Sequence, residues 1–255
     1  MILTIDIGNT NIMLGGFSSD ELVFVSRMAT DQHATEDEYA IRILSALSLH
    51  GIAKESVTGC IIASVVPPLN YAIKNAIHFV FGLQALVVGP DIKSGIGIRC
   101  DMPSSVGADL IAAAVAAHYI YGSPSLIIDM GTATKMTVVD HKGAFIGTSI
   151  IPGVMMGLNS LSEGTAQLPK ISLEKPSSVI AKNTADCMRS GVLYGNASLI
   201  DGMIDRISQE FGSELPVYAT GGMASLIMPL CRHEIPVDEH LVLKGLNILY
   251  QKNKP

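Results

Sequence analysis

The sequence predicts an α/β protein built from two similar lobes, each a mixed sheet with flanking helices. Two observations carry that prediction. The first is a repeated strand-end motif: Ile5-Asp6-Ile7-Gly8-Asn9-Thr10 returns as Ile128-Asp129-Met130-Gly131-Thr132-Ala133. The two aspartates are 129 − 6 = 123 positions apart, almost half of the 255 residues. The second is the context. Each copy heads a strand–turn–strand–turn–strand block that gives way to helices. Two copies of one unit imply two lobes facing each other, divided near Gly122-Ser123-Pro124 into residues 1–121 and 122–255.

The opening copy sets the pattern. Residues 2–5 form a β-like run, Gly8-Asn9-Thr10-Asn11 a turn, and residues 12–17 a second run. Ser18-Ser19-Asp20 is another turn, and residues 22–28 form a third run, which predicts three antiparallel strands. Thr35-Glu36-Asp37-Glu38 has the spacing of a capping box and opens a helix to about residue 50. Residues 60–66 read as a buried strand stopped by Pro67-Pro68, 71–81 as a helix, 85–88 as a strand and 91–103 as a loop. An Ala-rich helix follows over 105–121.

The second copy then runs through a strand at 125–128, a turn at Gly131-Thr132-Ala133-Thr134, and strands at 136–139 and 144–150. Pro152-Gly153 opens a helix, 159–178 is loop-rich, and 183–211 is a long helical region with a candidate break near Gly195. A strand at 216–219 meets Thr220-Gly221-Gly222, a short helix follows, and the last helix spans about 239–251.

Composition narrows the function classes. Hydrophobic residues make up 48%, enough for a substantial core. Net charge is 17 − 23 = −6, and no basic run marks a nucleic-acid partner. The most apolar stretch, residues 110–117, is too short for a membrane span. The first residues carry neither a basic region nor a cleavage site, so they do not read as a signal peptide. Cys60, Cys100, Cys187 and Cys231 form no Cys-x-x-Cys pair, which argues for a reduced, cytoplasmic protein without a zinc or disulfide framework. The seven histidines show no metal spacing.

An aspartate at a strand end before a glycine turn suits phosphate chemistry. Glycine lets a ligand approach the backbone, and turn N–H groups with Thr hydroxyls can meet phosphate oxygens. The carboxylate itself repels phosphate unless a cation lies between them, so each Asp predicts a bound cation. Two such turns on facing lobes would clamp a polyphosphate. Thr220-Gly221-Gly222 would let a nucleoside lie against backbone, although a plain strand–helix turn reads the same way. Asp109, in Val106-Gly107-Ala108-Asp109, opens the Ala-rich helix. It is a candidate general base toward a substrate hydroxyl; a helix-dipole role would also account for it.

These residues also resemble a known family. In order, Asp6-Ile7-Gly8-Asn9-Thr10-Asn11, Ser64-Val65-Val66-Pro67, Gly107-Ala108-Asp109, Asp129-Met130-Gly131-Thr132-Ala133-Thr134, Ile151-Pro152-Gly153, Ala166-Gln167-Leu168-Pro169, Thr220-Gly221-Gly222 and Leu243-Lys244-Gly245-Leu246 resemble the type III pantothenate kinases. The resemblance implies a duplicated actin-like (ribonuclease H-like) fold and transfer of the ATP γ-phosphate to the primary hydroxyl of pantothenate, the first step toward coenzyme A. It implies Mg²⁺ beside Asp6, and phosphate contacts from Gly8, Asn9, Thr10, Asn11, Gly131, Thr132 and Thr134. It implies a potassium or ammonium ion at Asp129, adenosine beside Gly221 and Gly222, and Asp109 as general base. Pantothenate would lie near Cys100, Gly107, Ala108, Asp109, Leu110 and Thr184. A homodimer is implied as well.

This chain departs from the family pattern at several points. Tyr-Asp-Asn-Pro is usual where Cys100-Asp101-Met102-Pro103 stands, Arg is usual at Leu110, and Asn at Ala113. The usual Thr-Thr is Thr134-Lys135, and a usual Gly-Gly is Gly147-Thr148. The missing Arg removes a donor for the substrate carboxylate, a contact typically worth about 2–5 kcal/mol when its partner is left buried. Arg99 and Lys135 are the candidate replacements. Two alternatives therefore stand beside a pantothenate kinase: a paralogue that binds nucleotide without this activity, and a kinase for another small hydroxyl substrate.

Overall fold

Alternation along the first strand decides which side of its sheet becomes core. In the computed structural model, which describes residues 1–254, β1 (Ile2–Ile7) turns Leu3, Ile5 and Ile7 to one face, each 0% exposed. Burying a side chain of this size contributes about 1.5–3 kcal/mol. β2 (Asn11–Ser18) and β3 (Glu21–Ala29) follow as antiparallel neighbours, as the sequence predicts. β4 (Gly59–Ser64) and the short β5 (Leu86–Val87) add in parallel, giving the order β3-β2-β1-β4-β5.

Helices cover both faces of this sheet. α1 (Glu36–Leu49) and α2 (Leu69–Phe81) pack Tyr39, Ile43, Leu47, Ile73 and Ile77 on the Leu3–Ile5–Ile7 face. The capping box at Thr35 and Glu38 is formed. α3 (Ala108–Ala116) and α7 (Leu241–Asn253) cover the other face with Ile111, Val115, Leu243, Leu246 and Leu249. The small residues have a reason here: a Cβ on Gly245 would run into the Ala112 carbonyl, so Gly245 and the Ala-rich α3 let two helix backbones meet.

The second sheet repeats the plan. β6 (Ser125–Met130) pairs antiparallel with β7 (Ala133–Val139) and parallel with β9 (Val217–Thr220). β8 (Phe145–Pro152) completes the order β8-β7-β6-β9. Leu126, Ile128, Met130 and Met136 face a core formed with α4 (Val154–Glu163), α5 (Thr184–Phe211) and α6 (Ala224–Ile227).

Three expectations change in detail. The helix expected over 105–121 is α3 alone, followed by a π-helical segment, Ala117–Tyr121, that closes with Gly122 N–H donating to the Ala117 carbonyl. α4 extends to Glu163, into the stretch read as loop. α5 runs unbroken through Gly195, because the buried row Val192, Leu193, Ala197, Ile200 and Ile204 holds it to the sheet. Packing there outweighs the ~1 kcal/mol that an interior glycine costs a helix.

The chain divides into two compact units: residues 1–123 with 143–146 and 240–254, and residues 124–142 with 147–239. Two stretches beyond the boundary at 123/124 belong to the first unit. The last helix joins the first unit through α3, and residues 143–146 join it where Phe145 exchanges backbone hydrogen bonds of 2.8 Å with Gly97 and Arg99.

Candidate active site

In the first unit, the β1–β2 hairpin presents Asn9 and Thr10 at the surface. Gly8 N–H donates to the Asn11 carbonyl at 3.0 Å, and the Thr30 hydroxyl holds the Gly8 carbonyl at 2.6 Å. Strand parity puts Asp6 with Ile2 and Thr4, on the face covered by α3 and α7. Across from Asp6 stand Met13 on β2 and Ala63 on β4.

Asp109 belongs to the same side of that sheet, in the first turn of α3 after the N-cap Gly107. It is 9% exposed, and the Leu110 N–H donates to its Oδ1 at 2.8 Å. A side chain on Gly107 would meet Asp109 Oδ1 at 2.6 Å, so the glycine makes room for the carboxylate. Leu110 and Ala113 are 7% and 2% exposed and apolar, where the family pattern would supply Arg and Asn. Cys100 is half-buried, Met102 is 67% exposed, and Arg99 is exposed.

In the second unit, two separate motifs converge on one hairpin. Gly131 and Thr132 are exposed at its tip. Gly153, at the head of α4, lies so close that a Cβ would clash with the Thr132 carbonyl and come within 2.8 Å of the Gly131 carbonyl. Gly221 has φ +93°, and its Cβ would fall 2.6–2.7 Å from the Met130 backbone. Met223 N–H donates to the Met130 carbonyl at 3.3 Å. The Pro-Gly and Thr-Gly-Gly segments are thus brought against the Asp129 turn. The space beside Gly222 is open, with no atom within 4 Å of an added Cβ.

Two residues of this hairpin differ from the sequence reading. Thr134 pairs with Met130 on the core face, is 1% exposed, and its Oγ1 has no hydrogen-bond partner. It lies on the opposite side of the sheet from Asp129. Lys135 stands directly across from Asp129, and its Nζ is 2.7 Å from Asp129 Oδ2. Lys135, a candidate partner for a substrate carboxylate, thus has Asp129 as a neighbour on its own hairpin. The register sets this arrangement: residues 131–133 form a loop one residue shorter than 8–11, which puts position 135 rather than 136 opposite the Asp. Thr184 is exposed as the first residue of α5, after the N-cap Asn183, which accepts from Asp186 N–H at 2.9 Å.

The donor chemistry fits Mg²⁺ and does not fit a free monovalent ion. Among the described residues no group of three or more His, Cys, Asp or Glu could hold a metal by itself. Mg²⁺ commonly needs only one or two carboxylates, completing its shell with phosphate and water, and Asp6 can serve as one. At Asp129, Lys135 already places a positive charge 2.7 Å from Oδ2, the charge that a potassium or ammonium ion would otherwise bring.

The two sheets and their paired hairpins define an actin-like protein with a duplicated ribonuclease H-like fold. Solved structures share it. One, from Campylobacter jejuni and provisionally described as a conserved Baf family transcriptional activator, is 17% identical over 98% of both chains, with a TM-score of 0.62. Another, provisionally described as a 2-dehydro-3-deoxygalactonokinase from Sinorhizobium meliloti, is 12% identical with a TM-score of 0.62, covering 100% of this chain and 97% of that one. The (R)-2-hydroxyglutaryl-CoA dehydratase component A of Acidaminococcus fermentans is 17% identical with a TM-score of 0.56, covering 98% and 96%.

Residues 2–206 match the type III pantothenate kinase family, and the chain belongs to it. That membership makes the protein one of a family of kinases, phosphotransferases that use ATP with Mg²⁺ and a small acceptor.

Proposed function

We propose that this chain transfers the γ-phosphoryl group of ATP to the primary hydroxyl of pantothenate, giving 4'-phosphopantothenate. The observation that carries the reading is the family match, which runs through both Asp hairpins and through a buried Asp109 at the head of α3. Asp109 takes the hydroxyl proton, and its bond from Leu110 N–H orients the carboxylate for that task. The pantothenate oxygen forms the new bond to phosphorus as the bond to the β,γ-bridging oxygen breaks, and ADP leaves. Bound Mg²⁺, with Asp6 near it, supplies neutralisation of phosphate charge.

The protein's own work is positioning. Asn9, Thr10 and Asn11 on one hairpin, and Gly131 and Thr132 on the other, would offer N–H and hydroxyl donors to phosphates, and Gly8, whose N–H is held by the Asn11 carbonyl, shapes the first turn. Gly221 and Gly222 lie against the adenosine. Thr134, buried toward the core, supports the turn from below. Cys100, Gly107, Ala108, Leu110 and Thr184 are the proposed acceptor contacts. The reading includes a homodimer in the cytoplasm, checked by a sedimentation mass of twice the 27.0 kDa chain.

One observation favours a second acceptor. Leu110 is buried and apolar where a cation for a carboxylate is usual. A small primary alcohol without a carboxylate would suit that position better than pantothenate does.

Steady-state turnover with Mg²⁺-ATP tests both readings, using pantothenate and its carboxylate-free alcohol analogue. Pantothenate turnover that Asp109→Asn lowers by about 10²–10⁴-fold, with ATP affinity retained, supports the proposal. Turnover of the alcohol alone supports the second reading. No turnover of either, with ATP still bound, contradicts both and leaves a nucleotide-binding protein.

A further inference from the structure

Asp129 ends β6 immediately before the hairpin whose Gly131 and Thr132 are exposed. A carboxylate in that position works against an incoming phosphate unless positive charge sits beside it. The hairpin register supplies that charge from within the chain. Asp129 and Lys135 are a directly opposed antiparallel pair, and Nζ to Oδ2 is 2.7 Å. Opposed residues of this kind share one face of the sheet, so the contact needs no long reach. Both side chains are largely covered, at 17% and 15% exposure, which protects the pair from the screening that weakens surface ion pairs.

The surroundings hold the pair in place. Gly153 packs on the Gly131 and Thr132 carbonyls, Gly221 packs on Met130, and the Met130–Thr134 pair below is buried in the core. In the first hairpin the longer loop sets Met13 opposite Asp6.

We propose that Lys135 is the resident monovalent cation of this hairpin: its tethered ammonium takes the place on Asp129 that a free potassium or ammonium ion would fill, so phosphate binding at residues 131–132 requires no such ion. An alkylammonium carries the same charge as those ions and donates three N–H bonds, one of which Asp129 accepts. Tethering keeps it present at any salt composition. Lys135 is thus a positioning residue that acts through Asp129 and the turn. The inference rests on the nucleotide reading for its consequence, and on the ion pair alone for its cause.

The test has two arms. In the first, thermal unfolding without nucleotide is compared in potassium and in choline salts. Wild type should unfold at the same temperature in both, and Lys135→Thr should be stabilised by potassium, because Asp129 then needs an outside counterion. In the second, Mg²⁺-ADP affinity is measured by calorimetry in the same salts. Wild type should differ by less than about twofold, while Lys135→Thr should bind roughly tenfold or more weakly in choline and recover in potassium. Lys135→Arg keeps the charge and should remain indifferent to potassium.

A wild-type protein that needs potassium for nucleotide, or a Lys135→Thr protein blind to potassium in the first arm, overturns the proposal. Should Lys135→Thr not fold, the wild-type and Lys135→Arg arms decide. Absence of nucleotide binding in every salt contradicts the kinase reading, and the unfolding arm still decides the role of Lys135.

Discussion

Gly153 and Gly221 shape the second hairpin by the side chains they lack. Gly153→Ala would drive a methyl group into the Thr132 carbonyl, and the backbone there offers no flexible end that can move aside. We predict a loss of stability of about 2 kcal/mol or more, read from urea unfolding, with a matching loss of nucleotide affinity. Full stability with unchanged affinity would show that the turn tolerates displacement and plays no part in binding. The Asp-x-Gly repeat was legible in sequence because strand-end carboxylate and glycine turn are adjacent in the chain. The side of the sheet taken by each later residue was not. It depends on loop length, and a change of one residue sends Thr134 to the core and Lys135 to Asp129.

Elements were legible where local chemistry decides them. The capping box at α1 is an example: Thr35 and Glu38 exchange hydrogen bonds, with Thr35 N–H to Glu38 Oε2 at 2.8 Å. That backbone donor, followed by the Thr35 hydroxyl, holds the Glu38 carboxyl below its usual range. A depressed acid stabilises the fold above its unfolded-state value, and the benefit fades as pH falls through the lower folded value. The stability gap between wild type and Glu38→Gln should therefore be present near neutral pH and close below about pH 4. Thr35→Ala should cost about 1 kcal/mol at neutral pH in denaturant unfolding. A gap that widens on acidification would contradict the assignment. By contrast, the membership of α7 in the first unit was hidden, since the Gly245–Ala112 approach joins residues far apart in sequence.

At the scale of the whole molecule, the duplication organises everything else. Each unit carries a sheet with an Asp-bearing hairpin, and each hairpin Asp points away from the main helical core of its unit: Asp6 from α1 and α2, Asp129 from α4 and α5. The hairpins are alike in plan and differ in register, with Met13 opposite Asp6 in one and Lys135 opposite Asp129 in the other. The acidic net charge of −6 suits a protein that meets phosphate through local donors rather than a basic surface. The acceptor side has departed furthest from the family pattern, at Cys100, Met102, Leu110 and Ala113. Phosphoryl transfer to pantothenate is tested by the mass of the product formed from Mg²⁺-ATP and pantothenate. The expected product is pantothenate heavier by one phosphoryl group, formed with one ADP per product and lost in Asp109→Asn. Release of ADP with pantothenate unchanged in mass would contradict it.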